Sequence, residues 1–101
     1  MVYIVIKTFY PSHKNEEVTQ VYQEVFKKYP PDPSLSEHVV PVAGRGTEKG
    51  IESMNIQKLK KGAFDEVSKR IMGAMSMFHK VEGFEYSVEI WSTLEESLAA
   101  R

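Results

Sequence analysis

The pattern of hydrophobic and polar positions predicts a β-strand at the start of the chain that is apolar on both faces. Val2 to Tyr10 gives one face of Val2, Ile4, Ile6 and Thr8 and an opposite face of Tyr3, Val5, Lys7 and Phe9. β-branched and aromatic residues on both faces are typical of a central strand that is covered on both sides. One layer of helices covers only one face, so the other face requires a further partner.

Two segments have the three- and four-residue spacing of amphipathic helices. The first begins at Asn15 and presents Val18, Val21, Tyr22, Val25, Phe26 and Tyr29, before the prolines at 30, 31 and 33 end it. The second runs from Gly62 to about Lys80 and presents Phe64, Val67, Ile71, Met75 and Phe78. Gly73 lies inside this second helix, where we expect it to permit close approach of the sheet or of the other helix. Thr93 to Glu96 matches a capping box and predicts a short C-terminal helix.

Three further segments predict strands, at residues 37–43, 51–60 and 84–91. Pro41 has no amide hydrogen to donate, so the strand that contains it must lie at an edge of the sheet or carry a bulge. Between this strand and the next, the glycine-rich residues 44–50 predict a hairpin connection.

The alternation of residues also predicts which face of the sheet each side chain occupies. In strand 51–60, Met54 and Ile56 are expected to face the helices, and the opposite face carries Ser53, Asn55 and Gln57. In strand 84–91, the alternation places Phe84, Tyr86, Val88 and Ile90 towards the helices and Glu85, Ser87, Glu89 and Trp91 on the other face.

The order strand, helix, strand, strand, helix, strand is the split βαβ arrangement. We therefore predict a single α+β domain over residues 1–101, with a ferredoxin-like βαββαβ fold and a short additional C-terminal helix. Right-handed crossovers place both helices on one face of a four-stranded antiparallel sheet, with the first and third strands central. The second face of that sheet is left bare.

Composition and charge exclude several classes of function. The net charge is −1, from 13 basic and 14 acidic residues, and residues 51–60 contain no aromatic side chain, so we predict no nucleic-acid partner. No apolar run approaches the roughly 20 residues that span a bilayer, and no signal-peptide pattern is present; we expect no membrane association and a cytoplasmic location. Cysteine is absent and the three histidines have no metal-ligand spacing, so we predict no metal and no cofactor.

The order of elements and the patterning of the sheet, from Val2 through Trp91, resemble the dimeric α+β barrel superfamily. That superfamily includes the antibiotic-biosynthesis monooxygenase-like, EthD-like and stress-responsive A/B barrel groups. The resemblance implies a homodimer whose sheets face each other and enclose a cavity. It also implies activities that range from cofactor-free oxygenases and isomerases to haem proteins and proteins with no known activity.

We therefore predict a homodimer that binds a small apolar molecule between its paired sheets, with an oxygenase- or isomerase-like activity as one outcome. The alternative is a non-catalytic structural or regulatory dimer without a substrate. A cavity of roughly 300 Å³ or more with convergent polar groups favours binding, whereas side chains that fill the gap favour the alternative.

The candidate ligand-binding residues are Tyr3, Lys7, Phe9, His38, Asn55, Gln57, Glu89 and Trp91. All except His38 are expected on the bare face, and the edge strand presents to that face either His38 with Val40 and Val42 or Val39 with Pro41. Lys7 is a charged residue on an otherwise apolar face, so it requires a partner such as Glu89, with Asn55 and Gln57 beside it. His38 is the nearby group that titrates close to neutral pH. We expect a ligand with a carbonyl or carboxylate end that meets Lys7, Asn55 or His38. The structural alternative for Lys7 is an interface salt bridge between protomers or a side chain that reaches out to solvent, and no catalytic residue is assigned.

Overall fold

The computed structural model describes residues 2–99, which form four strands and three helices. The strands are β1 (Val2–Tyr10), β2 (Ser36–Gly46), β3 (Ile51–Leu59) and β4 (Glu85–Ser92). The helices are α1 (Asn15–Lys28), which follows a 3₁₀ turn at Ser12–Lys14, α2 (Phe64–Ser76) and α3 (Leu94–Ala99). In the described part of the chain, no helix is long and apolar enough to cross a membrane.

The strands form one antiparallel sheet in the order β2-β3-β1-β4. This confirms an α+β fold with a four-stranded antiparallel sheet, and it confirms that the first and third strands are central. The chain therefore has two edge strands, β2 and β4.

The hydrophobic core lies between one face of the sheet and helices α1 and α2. From the sheet, Ile4 and Ile6 of β1 and Leu59 of β3 are buried, and the helices contribute Val18, Val21, Val67, Ile71 and Met75. The alternate residues of β1 on the opposite face are half-buried or exposed; they are Tyr3, Val5, Lys7 and Phe9. The predicted division of β1 into a covered and an uncovered face is confirmed.

Aromatic rings fill the part of the core nearest to the ends of β1 and α2. The Phe84 ring stacks on Phe78 with centroids 4.5 Å apart, and Tyr10 and Tyr22 flank this pair at 6.0 Å and 5.0 Å. α2 ends at Ser76, earlier than the predicted Lys80, because the next residues form tight turns, among them Val81 N to Phe78 O at 2.9 Å. These turns direct Phe78 into the core, where its exposed fraction is 0%.

The strand that contains Pro41 is both an edge strand and irregular, as predicted. β2 is longer than the predicted 37–43, and its register with β3 shifts between His38 and Val40 and again between Val40 and Ala43. The predicted hairpin connection is also confirmed, since Gly46 pairs with Ile51 across a four-residue turn. The amide of Glu96 donates to Thr93 Oγ1 at 3.1 Å, which confirms the N-terminal cap of α3.

The prediction for the faces of β3 is wrong. Gln57, Asn55 and Ser53 pair with Ile4, Ile6 and Thr8, so all six residues lie on the helix side of the sheet. Met54 and Ile56 pair with Lys7 and Val5 and therefore lie on the open face. The physical reason is at the ends of the strand: Ile51 and Leu59 share the face of Asn55, and Leu59 is only 3% exposed.

Candidate functional site

The structure divides the predicted ligand-binding residues between the two faces of the sheet. Tyr3, Lys7, Phe9, Glu89 and Trp91 lie on the open face, as the register of β1 with β3 and β4 requires. His38, Asn55 and Gln57 lie on the helix side. One site cannot contain all eight residues, because the sheet separates the two groups.

On the open face, Lys7 pairs with Glu89 as predicted. Lys7 Nζ is 3.4 Å from Glu89 Oε2, and Trp91 Nε1 donates to Glu89 Oε1 at 3.0 Å. The prediction that Asn55 and Gln57 flank Lys7 is wrong. A shallow depression of about 760 Å³ surrounds Lys7 at the end of the sheet and is open to solvent, so it excludes little water from the ion pair.

A more enclosed cavity of about 380 Å³ lies between the helices and the β2–β3 half of the sheet. Its apolar wall includes Ile6, Val25, Phe26, Leu35, Ile71 and Met75. Its polar residues include Thr8, Ser36, His38, Ser53, Asn55, Gln57 and Arg70. Such a volume, with apolar walls and a few convergent polar groups, is typical of small-molecule sites.

Four polar side chains of this cavity, those of Ser36, Gln57, Asn55 and His38, form one continuous chain of hydrogen bonds. Ser36 Oγ donates to Gln57 Oε1 at 2.9 Å, and Gln57 Nε2 donates to Asn55 Oδ1 at 2.9 Å. Asn55 Nδ2 then lies 3.2 Å from His38 Nδ1. Thr8 and Ser53 hydroxyls form a separate hydrogen bond beside this chain. A buried polar row of this kind is stable because its members satisfy one another.

The bulge of β2 fixes the orientation of the Asn55 amide. Asn55 Nδ2 donates to the carbonyl oxygen of Val40 at 3.2 Å and to that of Pro41, and carbonyl oxygens can only accept. Since an amide nitrogen donates but does not accept, its 3.2 Å contact with Nδ1 of His38 favours the unprotonated form of that ring nitrogen. The neutral His38 ring therefore carries its proton on Nε2.

The surroundings of His38 also disfavour its charged form. Burial lowers the pKa of His38 below its ordinary value, and the positive charge of Arg70 lowers it further. Protonation of Nδ1 would in addition place an N–H against the Asn55 amide. These surroundings favour the uncharged ring of His38 at neutral pH.

Arg70 brings a positive charge to the same cavity. Its guanidinium donates to the carbonyl oxygen of Pro30 and lies 5.9 Å from the centroid of the Tyr29 ring. The nearby carboxylate of Asp32 accepts hydrogen bonds from the backbone amide and the hydroxyl of Ser34, at 3.0 Å and 2.6 Å. These two bonds, with a smaller contribution from Arg70, lower the pKa of Asp32.

The polar residues of this cavity that sequence reasoning missed include Thr8, Ser36, Ser53 and Arg70. Two signals were present. Ile51 and Leu59 share a face with Ser53 and Asn55, and apolar residues at both ends of a strand face indicate burial of the whole face. Arg70 lies between Val67 and Ile71 on the apolar side of its helix. Among residues 2–99, no three His, Asp or Glu side chains cluster closely enough to hold a metal ion.

Comparison with known proteins gives the fold and no family. No protein-family model matches the chain. No curated protein sequence matches it either. Among solved structures, the de novo designed protein Foldit4 is similar with a TM-score of 0.63 and 16% sequence identity, over 91% of this chain and 97% of the designed one. At this identity the similarity supports the compact α+β architecture alone.

Proposed function

We propose that the protein is a homodimeric small-molecule-binding protein of the dimeric α+β barrel type. The ligand lies in the cavity between the helices and the sheet, not between the paired sheets. The observation that carries this proposal is the cavity of about 380 Å³, in which an apolar wall meets a hydrogen-bonded row that ends at His38. A ligand that is mostly apolar and has one polar end fits both parts of the wall.

The order of the strands supports the finer description of the fold. Two βαβ units, each with one strand inserted between its parallel strands, produce the order β2-β3-β1-β4, which resembles the order in a ferredoxin-like domain. The resemblance to the dimeric α+β barrels rests on this order and on the apolar open face.

The open face supports a homodimer through the sheets. It carries half-buried Tyr3, Val5, Phe9 and Ile56 and exposed Met54 and Trp91, the last with 57% of its surface accessible. A face of this composition is more apolar than the solvated face of an ordinary antiparallel sheet. A second copy of the same face would cover it, and the Lys7–Glu89 pair would then lie within the interface.

A structural or regulatory dimer without a ligand is the second candidate. Among the described residues, every buried side-chain nitrogen and oxygen atom already has a hydrogen-bond partner. The polar row therefore needs no ligand for its stability.

An isomerase- or oxygenase-like activity would rely on His38, the titratable group of the row.

Ligand binding is tested with 2-naphthol, a compact apolar probe with one hydroxyl group, by calorimetry and amide NMR shifts. We expect binding with shifts that centre on the cavity. Ala74→Leu, which fills the cavity, should abolish binding, whereas Ala99→Leu on exposed α3 should leave it unchanged. Absence of binding, or equal binding by Ala74→Leu, contradicts the proposed site and favours the ligand-free dimer.

The dimer is tested by sedimentation in dilute buffer. We expect the unmodified chain to sediment as a dimer and Val5→Lys, on the open face, to sediment as a monomer with an unchanged circular dichroism spectrum. Gln20→Lys, on the exposed side of α1, is the control and should remain dimeric. A stable 11.6 kDa monomer of the unmodified chain contradicts the dimer.

A further inference from the structure

Arg70 is a cation at a cavity whose other walls are neutral or apolar, apart from Asp32. The ion pairs formed among residues 2–99 do not include Arg70. Its guanidinium uses one nitrogen to donate to the Pro30 carbonyl oxygen, and most of its five N–H groups have no protein acceptor among the described residues. A guanidinium that forms no ion pair and has N–H groups to spare is a suitable receptor for an anion.

The position of Arg70 is held by its neighbours. Its α2 neighbour Ile71 is buried in the core, the Pro30 carbonyl oxygen accepts one of its N–H groups, and its guanidinium lies over the Tyr29 ring. Gly73 makes room for that ring, because a Cβ at this position would lie 2.7 Å from Tyr29 Cζ. A guanidinium that is held in place in this way loses less conformational entropy when it binds a ligand.

His38 supplies the second donor on the same cavity. Its Nδ1 faces the amide nitrogen of Asn55, which cannot accept a hydrogen bond. The donor of the neutral ring is therefore the Nε2–H group. Asp32 is the one acidic group that opposes an anion there, and its Oδ1 is already occupied by two hydrogen bonds from Ser34. The apolar residues of the remaining walls would contact the body of a ligand.

We propose that the cavity takes an amphiphilic carboxylate, with the carboxylate bound by Arg70 and by the Nε2–H of His38 and the apolar body against Ile6, Ile71 and Met75. This assignment rests on the proposed function, since it names the ligand class of that cavity. The planar guanidinium fits two carboxylate oxygens at once, which distinguishes a carboxylate from a neutral hydroxyl or a cation.

Three probes with one common ring test the assignment: 2-naphthoate, 2-naphthol and 2-naphthylmethylammonium, each titrated into the full chain at low ionic strength. We expect 2-naphthoate to bind about tenfold or more tightly than 2-naphthol, because hydrogen bonds to a charged group are stronger than neutral ones. The ammonium probe should bind most weakly. Higher salt should weaken the binding of 2-naphthoate alone.

Two variants of Arg70 and one control separate this assignment from the proposed function. Arg70→Gln should remove the preference for 2-naphthoate over 2-naphthol, whereas Arg70→Lys should retain part of that preference. Arg45→Gln removes an exposed arginine that pairs with Glu52, and it should change neither affinity. Thermal melts establish that each variant is folded.

The outcomes are distinguishable. If 2-naphthol binds in the cavity but 2-naphthoate binds no more tightly, or if Arg70→Gln keeps the preference, the carboxylate assignment is wrong and the proposed site stands. Tighter binding of the ammonium probe also overturns the assignment and indicates Asp32 as the charged contact. If none of the three probes binds, both the assignment and the proposed function fail.

Discussion

The two faces of the sheet distribute polar and apolar residues in opposite ways along β3. The face beneath the helices carries Ser53, Asn55 and Gln57, whereas the open face carries Met54 and Ile56. A rule that places apolar residues inside and polar residues outside assigns both faces wrongly. The helix side of the sheet therefore contains a cavity with polar residues in its wall, whereas the open side presents an uncovered apolar surface.

The polar row can lie under the helices because each of its members has a partner. A buried amide without a hydrogen bond costs about 1–3 kcal/mol, but Gln57 and Asn55 bond to each other and to Ser36 and the β2 bulge. The open face has no such compensation for its exposed apolar atoms, and burial against another surface would stabilise it.

The largest expected effect on stability is at Ile4 of β1. Its neighbour Val5 points to the opposite face of the sheet and serves as the comparison. Ile4→Ala should lower the free energy of unfolding by about 2–5 kcal/mol, because Ile4 is 1% exposed and its loss leaves a cavity in the core. Val5→Ala should have a smaller effect on the monomer and should instead weaken dimerisation. Urea unfolding at several protein concentrations measures both changes.

The concentration dependence distinguishes the two faces. The midpoint of unfolding of Val5→Ala should depend on protein concentration less strongly than that of Ile4→Ala, because a chain that has dissociated to monomers unfolds independently of concentration. If both variants lose equal stability at every concentration, the open face is not an interface and the comparison of the two faces fails.

The next largest effect on stability is expected at Asn55, which holds the bulge of β2 through hydrogen bonds. Asn55→Leu removes the donor to the carbonyl oxygens of Val40 and Pro41 and the acceptor of Gln57, so we expect a loss of about 1–3 kcal/mol in the free energy of unfolding. Met54→Leu, the neighbouring position on the open face, is the matched control and should change the stability of the monomer by less than about 1.5 kcal/mol.

A second measurement makes the Asn55 prediction specific. Nitrogen-15 shifts of the histidine rings report which nitrogen carries the proton, and His38 should be in the Nε2–H form in the unmodified chain. In Asn55→Leu, this preference should weaken, whereas exposed His13 and His79 should be unaffected. A Nδ1–H form in the unmodified chain would contradict the orientation of the Asn55 amide.

Much of the architecture follows from the sequence, and the faces of β3 do not. The periodicity of α1 and the apolar character of both faces of β1 predict these two elements, and Pro41 indicates an irregular edge strand. For β3, each face contains both polar and apolar residues, and the outcome depends on tertiary pairing with β1 and on a bulge that creates carbonyl acceptors. The position of Arg70 depends on Tyr29 and Pro30, which are 40 or more residues away in sequence.

The dependence of stability on pH tests the environment of His38. Because burial and Arg70 lower the pKa of His38 in the folded chain, the unfolded chain binds the proton more readily. Stability should therefore fall as the pH drops through about 6.5, the ordinary histidine value, towards the lower pKa of the folded form. Thermal melts between pH 7.5 and about 5 measure this fall, since most carboxylates titrate below that range.

Two variants assign the fall to His38. His38→Gln should flatten the dependence on pH, because its amide oxygen can still accept from Asn55 but does not titrate. His13→Gln removes an exposed histidine and should leave the dependence unchanged. If stability changes equally with pH in the unmodified chain, in His38→Gln and in His13→Gln, then the pKa of His38 is not lowered by its surroundings.

A smaller effect is expected at Gly73, where helix propensity and packing oppose each other. Alanine should stabilise α2 by about 1 kcal/mol, but its Cβ would overlap the Tyr29 ring and displace it from Arg70. We expect the net change in the free energy of unfolding to be less than that gain. In a Tyr29→Leu background, Gly73→Ala should recover the full gain, and an unchanged increment there would show that the ring and the glycine are not coupled.

The smallest effect is expected for Lys7, and it separates the two faces most directly. Lys7 is about half exposed and its pair with Glu89 spans 3.4 Å, so Lys7→Met should change the stability of the monomer by less than about 1 kcal/mol. Lys80→Met, which removes an exposed pair with Glu24 at 3.5 Å, is the matched control. Because the sheet lies between Lys7 and the cavity, the affinity for 2-naphthol should be unchanged in both variants, and dimerisation should strengthen only in Lys7→Met. A loss of 2-naphthol binding in Lys7→Met with an intact dimer would place the ligand on the open face, as the sequence pattern first indicated.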